Sequence, residues 1–169
     1  MNKYKLSEET LEIYGHVLHR IIALRDFGEV KKGDLGGFIE KESNLAHDWN
    51  CWIYNDAVVR GDAKVYGNAM VCGNAEVYGE AKVCGDAEVE KKSDYIVFKN
   101  WWSSGRYFTW TRTNNMWKVG CFYGTGEQLI EKAYRDSEIS GREYERIVKY
   151  VETIYKVTHW MPLPDLPTE

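Results

Sequence analysis

The sequence predicts a mainly β chain: a short parallel solenoid with an N-terminal β cap, followed by a β-meander and two helices. Three observations lead there. A six-residue period runs from Ser43 to Glu90, turn-punctuated β-rich segments flank it on both sides, and helical capping signatures come only near the C-terminus. With 169 residues and 44% hydrophobic content, the chain can hold one or two cores and is not a disordered polyelectrolyte. No apolar run approaches the roughly 18 residues of a membrane span, and Met1 to Thr10 lacks the apolar stretch of a signal peptide. A soluble, cytoplasmic protein without a membrane partner is expected.

Residues 1–42 read as the cap. Thr10–Tyr14 and Val17–Leu24 are β-rich and joined at Gly15-His16, a hairpin signal. Asp26-Phe27-Gly28 and the glycine-rich run from Lys32 to Phe38 then supply turns. His16 and His19 are surface or cap residues in this scheme.

Residues 43–90 carry the repeat. From Gly61 the chain reads GDAKVY GNAMVC GNAEVY GEAKVC GDAEVE, and the same frame runs back through NDAVVR and WNCWIY to SNLAHD. The third position holds Leu45, Cys51 and then Ala57, Ala63, Ala69, Ala75, Ala81 and Ala87. The fifth holds His47, Ile53 and then Val59, Val65, Val71, Val77, Val83 and Val89. Apolar residues two apart face one side of a short strand, and a small residue beside a β-branched one suits a narrow interior. Gly followed by Asn or Asp opens most hexads and suits a sharp bend with positive φ.

These hexads resemble the hexapeptide-repeat proteins, whose fold is a left-handed parallel β-helix with three hexads per coil; eight hexads would make about three coils. The lead-in ALRDFGEVKKGDLGGFIEKESNLAHDWNCWIY resembles that of bacterial and prophage members of unassigned function. Under that fold, residues 18 apart share an outer wall. One wall gathers Trp52, Tyr54, Met70 and Cys72 with Glu88 and Glu90. It is the expected homo-oligomer interface, with cover by a flanking segment as the alternative. Cys72 and Cys84 fall on different walls and cannot bridge. None of the four cysteines forms a C-x-x-C pair, so no metal site and no disulfide framework are expected.

Residues 91–158 read as a second domain and 159–169 as a tail. Tyr95–Trp102, Arg106–Thr113 and Met116–Tyr123 are expected strands, with Asn114-Asn115 as a two-residue turn. That turn would set Arg112 opposite Trp117 and Trp110 opposite Val119, placing a cation over an indole. Thr125 with Gln128 and Ser140 with Glu143 announce the helices. The second helix carries Tyr144, Ile147, Val148, Val151, Ile154 and Tyr155 at core-facing spacing. Gly120-Cys121-Phe122-Tyr123-Gly124-Thr125 resembles a GCF-x-GT turn of small C-terminal domains in phage and prophage proteins.

The family resemblance implies acyl transfer from acetyl-CoA with a histidine base, for which His47 is the candidate within the repeat. The repeat has no extruded loop to wall such a site, so the chain reads as non-enzymatic, with no cofactor. Charge points elsewhere. The balance is zero over residues 1–36, −6 over 37–90 (four basic, ten acidic) and +2 over 91–169 (twelve basic, ten acidic). Between Asp94 and Glu127 there is no acid, while Lys99, Arg106, Arg112 and Lys118 alternate with aromatics. Lys99, Trp101, Trp102, Arg106, Trp110, Arg112, Trp117 and Lys118 are therefore the candidate ligand-binding residues, suited to stacking a base and neutralising phosphate. The expected function is homo-oligomeric binding of a nucleotide-like anion or a host protein, in the host cytoplasm if phage-encoded, with host-defence interference as its role. General nucleic-acid coating is not expected. Acyl transfer and purely structural self-assembly are the alternatives.

Overall fold

A computed structural model describes residues 2–160, with side chains through Tyr155. The fold is mainly β, built of several small sheets, with two helices at the C-terminal end. It divides into two compact units after Gly124.

The first unit opens with the hairpin of β1 (Tyr4–Ile13) and β2 (His16–Ala23). Tyr14 and Gly15 turn it, with φ of 51° and 79°, the paired left-handed geometry that matches strand twist. The turn lies one residue earlier than expected, and β1 starts six residues before Thr10. Its polar SEET stretch hides it in the sequence, and the register shifts between Leu6 and Thr10. Strand β3 (Leu35–Ile39) pairs antiparallel with β2 and parallel with the repeat. Gly36 permits that passage, because a Cβ there would lie 2.5 Å from the Ile21 side chain and 2.7 Å from the Ile53 carbonyl oxygen.

Seven two-residue strands follow: β4 (Trp52–Ile53), β5 (Val58–Val59), β6 (Lys64–Val65), β7 (Met70–Val71), β8 (Glu76–Val77), β9 (Lys82–Val83) and β10 (Glu88–Val89). They form three parallel ladders, in which the chain returns to each after 18 residues: Trp52 beside Met70 beside Glu88, Val58 beside Glu76, and Lys64 beside Lys82. Ala57, Ala63, Ala69, Ala75, Ala81 and Ala87 and the six valines two residues beyond each are at most 1% exposed. The small residue admits close approach and the branched one fills the remainder, each valine contributing about 1.5–3 kcal/mol on burial. Two 3-10 turns bracket the repeat. Buried Asn44 donates to the Gly61 and Ala63 carbonyls at 3.0 and 2.8 Å, and Asp94 accepts the Glu90 and Lys91 N–H groups at 3.0 and 2.9 Å.

The antiparallel sheet of β11 (Tyr95–Lys99), β12 (Tyr107–Thr111), β13 (Met116–Val119) and β14 (Phe122–Gly124) completes this unit. Thr109 Oγ1 accepts the Lys82 N–H at 2.9 Å, Thr113 Oγ1 accepts the Glu88 N–H at 2.9 Å, and Tyr95 donates to the Glu76 carbonyl at 3.1 Å. These bonds join the sheet to the repeat within the compact unit that ends at Gly124. Three strands were expected and four form, because Gly120 takes φ of 54° and turns the chain so that Phe122 pairs Val119. The expected register is also corrected. Trp110 lies opposite Trp117 and Thr111 opposite Met116, which puts Arg112 in a four-residue loop where its guanidinium lies 3.8 Å from Asp94. Rings of Phe98, Phe108, Trp110 and Trp117 then gather at centroid distances of 5.4–6.4 Å.

The second unit is a helical pair. Helix α1 (Gly126–Asp136) has the expected capping box: Thr125 Oγ1 accepts the Gln128 N–H at 3.3 Å and Gln128 Oε1 accepts the Thr125 N–H at 3.0 Å. Helix α2 (Glu138–Trp160) starts earlier than expected, since Ser137 and not Ser140 supplies the cap, its Oγ accepting the Ser140 N–H at 3.1 Å. Tyr144, Ile147, Val148 and Val151 form the buried stripe. The helix runs past the expected tail boundary at 159; Met161–Glu169 and the His159 side chain lie outside the described residues.

Two outcomes test this packing. Gly67 has φ of 72° and a Cβ there would lie 2.9 Å from the Gly85 nitrogen, whereas Gly79 has φ of 66° and nothing within 4 Å. Both alanine variants incur the left-handed cost of about 1–2 kcal/mol, and denaturant unfolding should show Gly67→Ala as the less stable; equal losses would contradict the close stacking of corners. Glu76 accepts from Arg60 Nε and Nη2 at 2.9 and 2.7 Å and pairs with Lys92. Burial pushes its carboxyl upward, but hydrogen bonds from Lys92 and Arg60 and their charges hold it below the usual range. A depressed folded pKa stabilises above the unfolded value of about 4.3 and loses that contribution as pH falls. The stability gap between the native chain and Glu76→Gln should therefore narrow from about pH 6 to pH 3; a constant gap would contradict the ion-pair assignment.

Candidate functional site

The β11–β12 hairpin positions the exposed part of the basic-aromatic set. Its loop is ordered by buried Asn100, whose Oδ1 accepts the Ser103 N–H at 2.9 Å and hydroxyl at 3.1 Å, and whose own N–H donates to the Arg106 carbonyl at 2.8 Å. Gly105 takes φ of 66° to complete the return. The loop presents Trp101 at 67% exposure, with Trp102 perpendicular to it at 4.9 Å. Lys99, directly opposite Tyr107, holds its ammonium 5.7 Å from that ring, and Arg106 is exposed beside it in sequence.

The other four residues of the set lie elsewhere. Trp110 and Trp117 are core residues at 4% and 1% exposure, and Trp110 Nε1 donates to Asn115 Oδ1 at 2.9 Å. Arg112 sits in its loop beside Asp94, and half-buried Lys118 lies 5.9 Å from the Tyr66 ring. The structure thus brings Lys99, Trp101, Trp102 and Arg106 together at one hairpin end and separates them from Trp110, Arg112, Trp117 and Lys118.

A cleft of about 460 Å³ lies between a repeat corner and the sheet, lined by Tyr78, Glu80, Lys92, Tyr95, Ile96, Val97 and Tyr107 together with Gly79. Arg60 stacks 4.7 Å from the Tyr78 ring while its other side binds Glu76. The Tyr95 hydroxyl is fixed by Glu76 and by the Tyr78 N–H at 3.4 Å, and burial pushes its pKa up to about 12. Sequence reasoning missed this cleft because its walls come from three separated segments.

The expected oligomer wall is partly covered. Trp52 is 1% exposed, packed edge-on by Phe27 at 5.3 Å and Tyr4 at 6.3 Å, so the N-terminal segment covers it. Met70 at 36% exposure, with half-buried Tyr54 and Cys72, remains. Burial, then Glu88, Glu90 and Asp94, push the Cys72 thiol upward. Cys72, Glu88 and Glu90 bring ligand atoms within 4.8 Å of one another, and no metal role is assigned to this partly exposed group. All four cysteines are free.

The three histidines with described side chains, His16, His19 and His47, are held by structural partners. His47 accepts the Lys3 N–H at Nδ1 (3.2 Å) and stacks on Tyr4 at 4.3 Å; His16 meets Glu40 at 2.9 Å, and His19 meets the Ser7 carbonyl at 3.2 Å. Lys3 itself is fully buried, donating to the Cys51 carbonyl at 2.7 Å and sulfur at 3.1 Å, with burial lowering its pKa.

No family model matches the chain. Over 80 residues it is 38% identical to an uncharacterized acetyltransferase, YdcK, of Escherichia coli (strain K12), a match that covers 38% of this chain and 24% of that protein. The chain thus spans about a quarter of the length of the curated relative it matches. No helix among the described residues is long and apolar enough to cross a membrane.

Proposed function

We propose that this chain is a non-enzymatic binding protein in which the parallel ladders form a short left-handed β-helix that supports a ligand-binding sheet. The 18-residue return and the alanine-valine interior support the helical reading. The ligand is a nucleotide-like anion, met by the β11–β12 hairpin: Trp101 offers a stacking face while Lys99 and Arg106 supply charge. The observation that carries this is Trp101, whose large apolar ring stands 67% exposed in the loop between Lys99 and Arg106. Met70, Tyr54 and Cys72 are the surface through which copies associate. Neither the fold nor the relative bears on a phage origin, and a role against host defence is no part of the proposal.

Acyl transfer is the second reading, favoured by the similarity to a protein named as an acetyltransferase. His47 would be its base, although Nδ1 already accepts from the Lys3 backbone.

Titration with mono- and cyclic nucleotides and with acetyl-CoA, followed by tryptophan fluorescence and heat, separates the two. Nucleotides should quench the fluorescence, and Trp101→Ala should weaken that binding about tenfold, the scale of one stacked base. Acetyl-CoA binding that His47→Ala abolishes, with nucleotides silent, would overturn the binding reading.

A further inference from the structure

The cleft beside the hairpin has the composition of a small-molecule site in its own right. Its volume of about 460 Å³ falls in the range of about 300–1,000 Å³ typical of such sites. Tyr78 projects from a corner of the repeat, Tyr107 from the start of β12, and Tyr95, Ile96 and Val97 come from β11. Two of these rings already hold a cation: Arg60 at 4.7 Å from Tyr78, and Lys99 at 5.7 Å from Tyr107.

Lys92 brings a cation to the cleft, where its side chain is 58% exposed while it pairs with Glu76, and Glu80 brings an acid to the same lining. An ammonium has three donors, so Lys92 keeps donors for a ligand while paired with Glu76. Glu80, half-buried in the lining, has no hydrogen-bond partner among the described residues and can accept from an amino or hydroxyl group. Glu80 beside a single lining cation argues against a polyphosphate, whose added charge it would repel.

We propose that this cleft is a separate site for a planar aromatic monophosphate, the chemistry of a nucleoside monophosphate, with the ring between Tyr78 and Tyr107 and the phosphate at Lys92. It does not require the hairpin reading, because Tyr78, Glu80 and Lys92 lie outside the hairpin and no tryptophan lines the cleft.

The full chain is titrated calorimetrically with AMP, adenosine, inorganic phosphate and ATP, and AMP is repeated with Lys92→Ala, Tyr107→Ala, Glu80→Gln and Trp101→Ala, each checked for an unchanged melting transition. AMP should bind, with adenosine and phosphate each about tenfold weaker or more, and ATP weaker than AMP. Lys92→Ala and Tyr107→Ala, each made in the Trp101→Ala background that disables the hairpin, should weaken the remaining AMP binding about tenfold. Glu80→Gln, at a side chain with no hydrogen bond among the described residues to lose, should narrow the preference for AMP over ATP. AMP binding lost already in Trp101→Ala would overturn the cleft assignment and leave the hairpin reading standing. No AMP binding, or adenosine as tight as AMP, would also overturn it, whatever the fluorescence titration shows at the hairpin.

Discussion

The narrow interior of the repeat is the constraint on which the rest depends. From Ala57 onward a buried alanine at each third position admits close approach of the ladders, and the valine two residues on fills what space remains. A larger residue at either place would force the ladders apart, since packed interiors absorb added methylenes poorly. Once the interior is set, the 18-residue return follows, and with it the neighbours of every outward side chain. The meeting of Arg60 and Glu76 on one ladder is a consequence of that return.

Both ends of such a stack expose unpaired backbone, and the chain covers each differently. At the start, β3 joins the β5–β8 ladder directly, carrying the β1–β2 hairpin with it, and Tyr4, Lys3 and Phe27 pack around Trp52 and Cys51. At the end, hydroxyls of Thr109, Thr113 and Tyr95 meet repeat backbone that no further turn of the chain satisfies. This second closure creates the cleft. A corner tyrosine and a lysine of the terminal 3-10 turn come to face a strand whose other end leads into the exposed Trp101 loop.

The repeat was legible in sequence because its period is strict and each position has one physical task. The capping box at Thr125 was legible for the same reason, being a local pairing of two side chains. What escaped was set by tertiary pairing. Strand β1 reads as polar because one of its faces stays wet. Asn114-Asn115 resembles a two-residue turn and so suggests a strand position for Arg112, yet the pairing of Trp110 with Trp117 shifts the register by two. Trp52 looked like an exposed anchor because nothing in its hexad reveals that Phe27 and Tyr4 reach over it. Alternation alone also could not tell Trp101 from Trp117, one exposed and one buried. The cleft was the least legible feature, since Tyr78, Lys92 and Tyr107 share no local pattern.

The return of the chain every 18 residues is the central claim, and engineered cysteine pairs test it most directly. Lys64 and Lys82 lie side by side in adjacent parallel strands, a spacing of about 4.8 Å that suits a disulfide. Lys64→Cys with Lys82→Cys should cross-link on mild oxidation, located by peptide mapping, whereas Met70→Cys with Lys82→Cys, 12 residues apart on different ladders, should not. A cross-link in the second pair and none in the first would mean a different return, and the placement of every outward residue would fall with it.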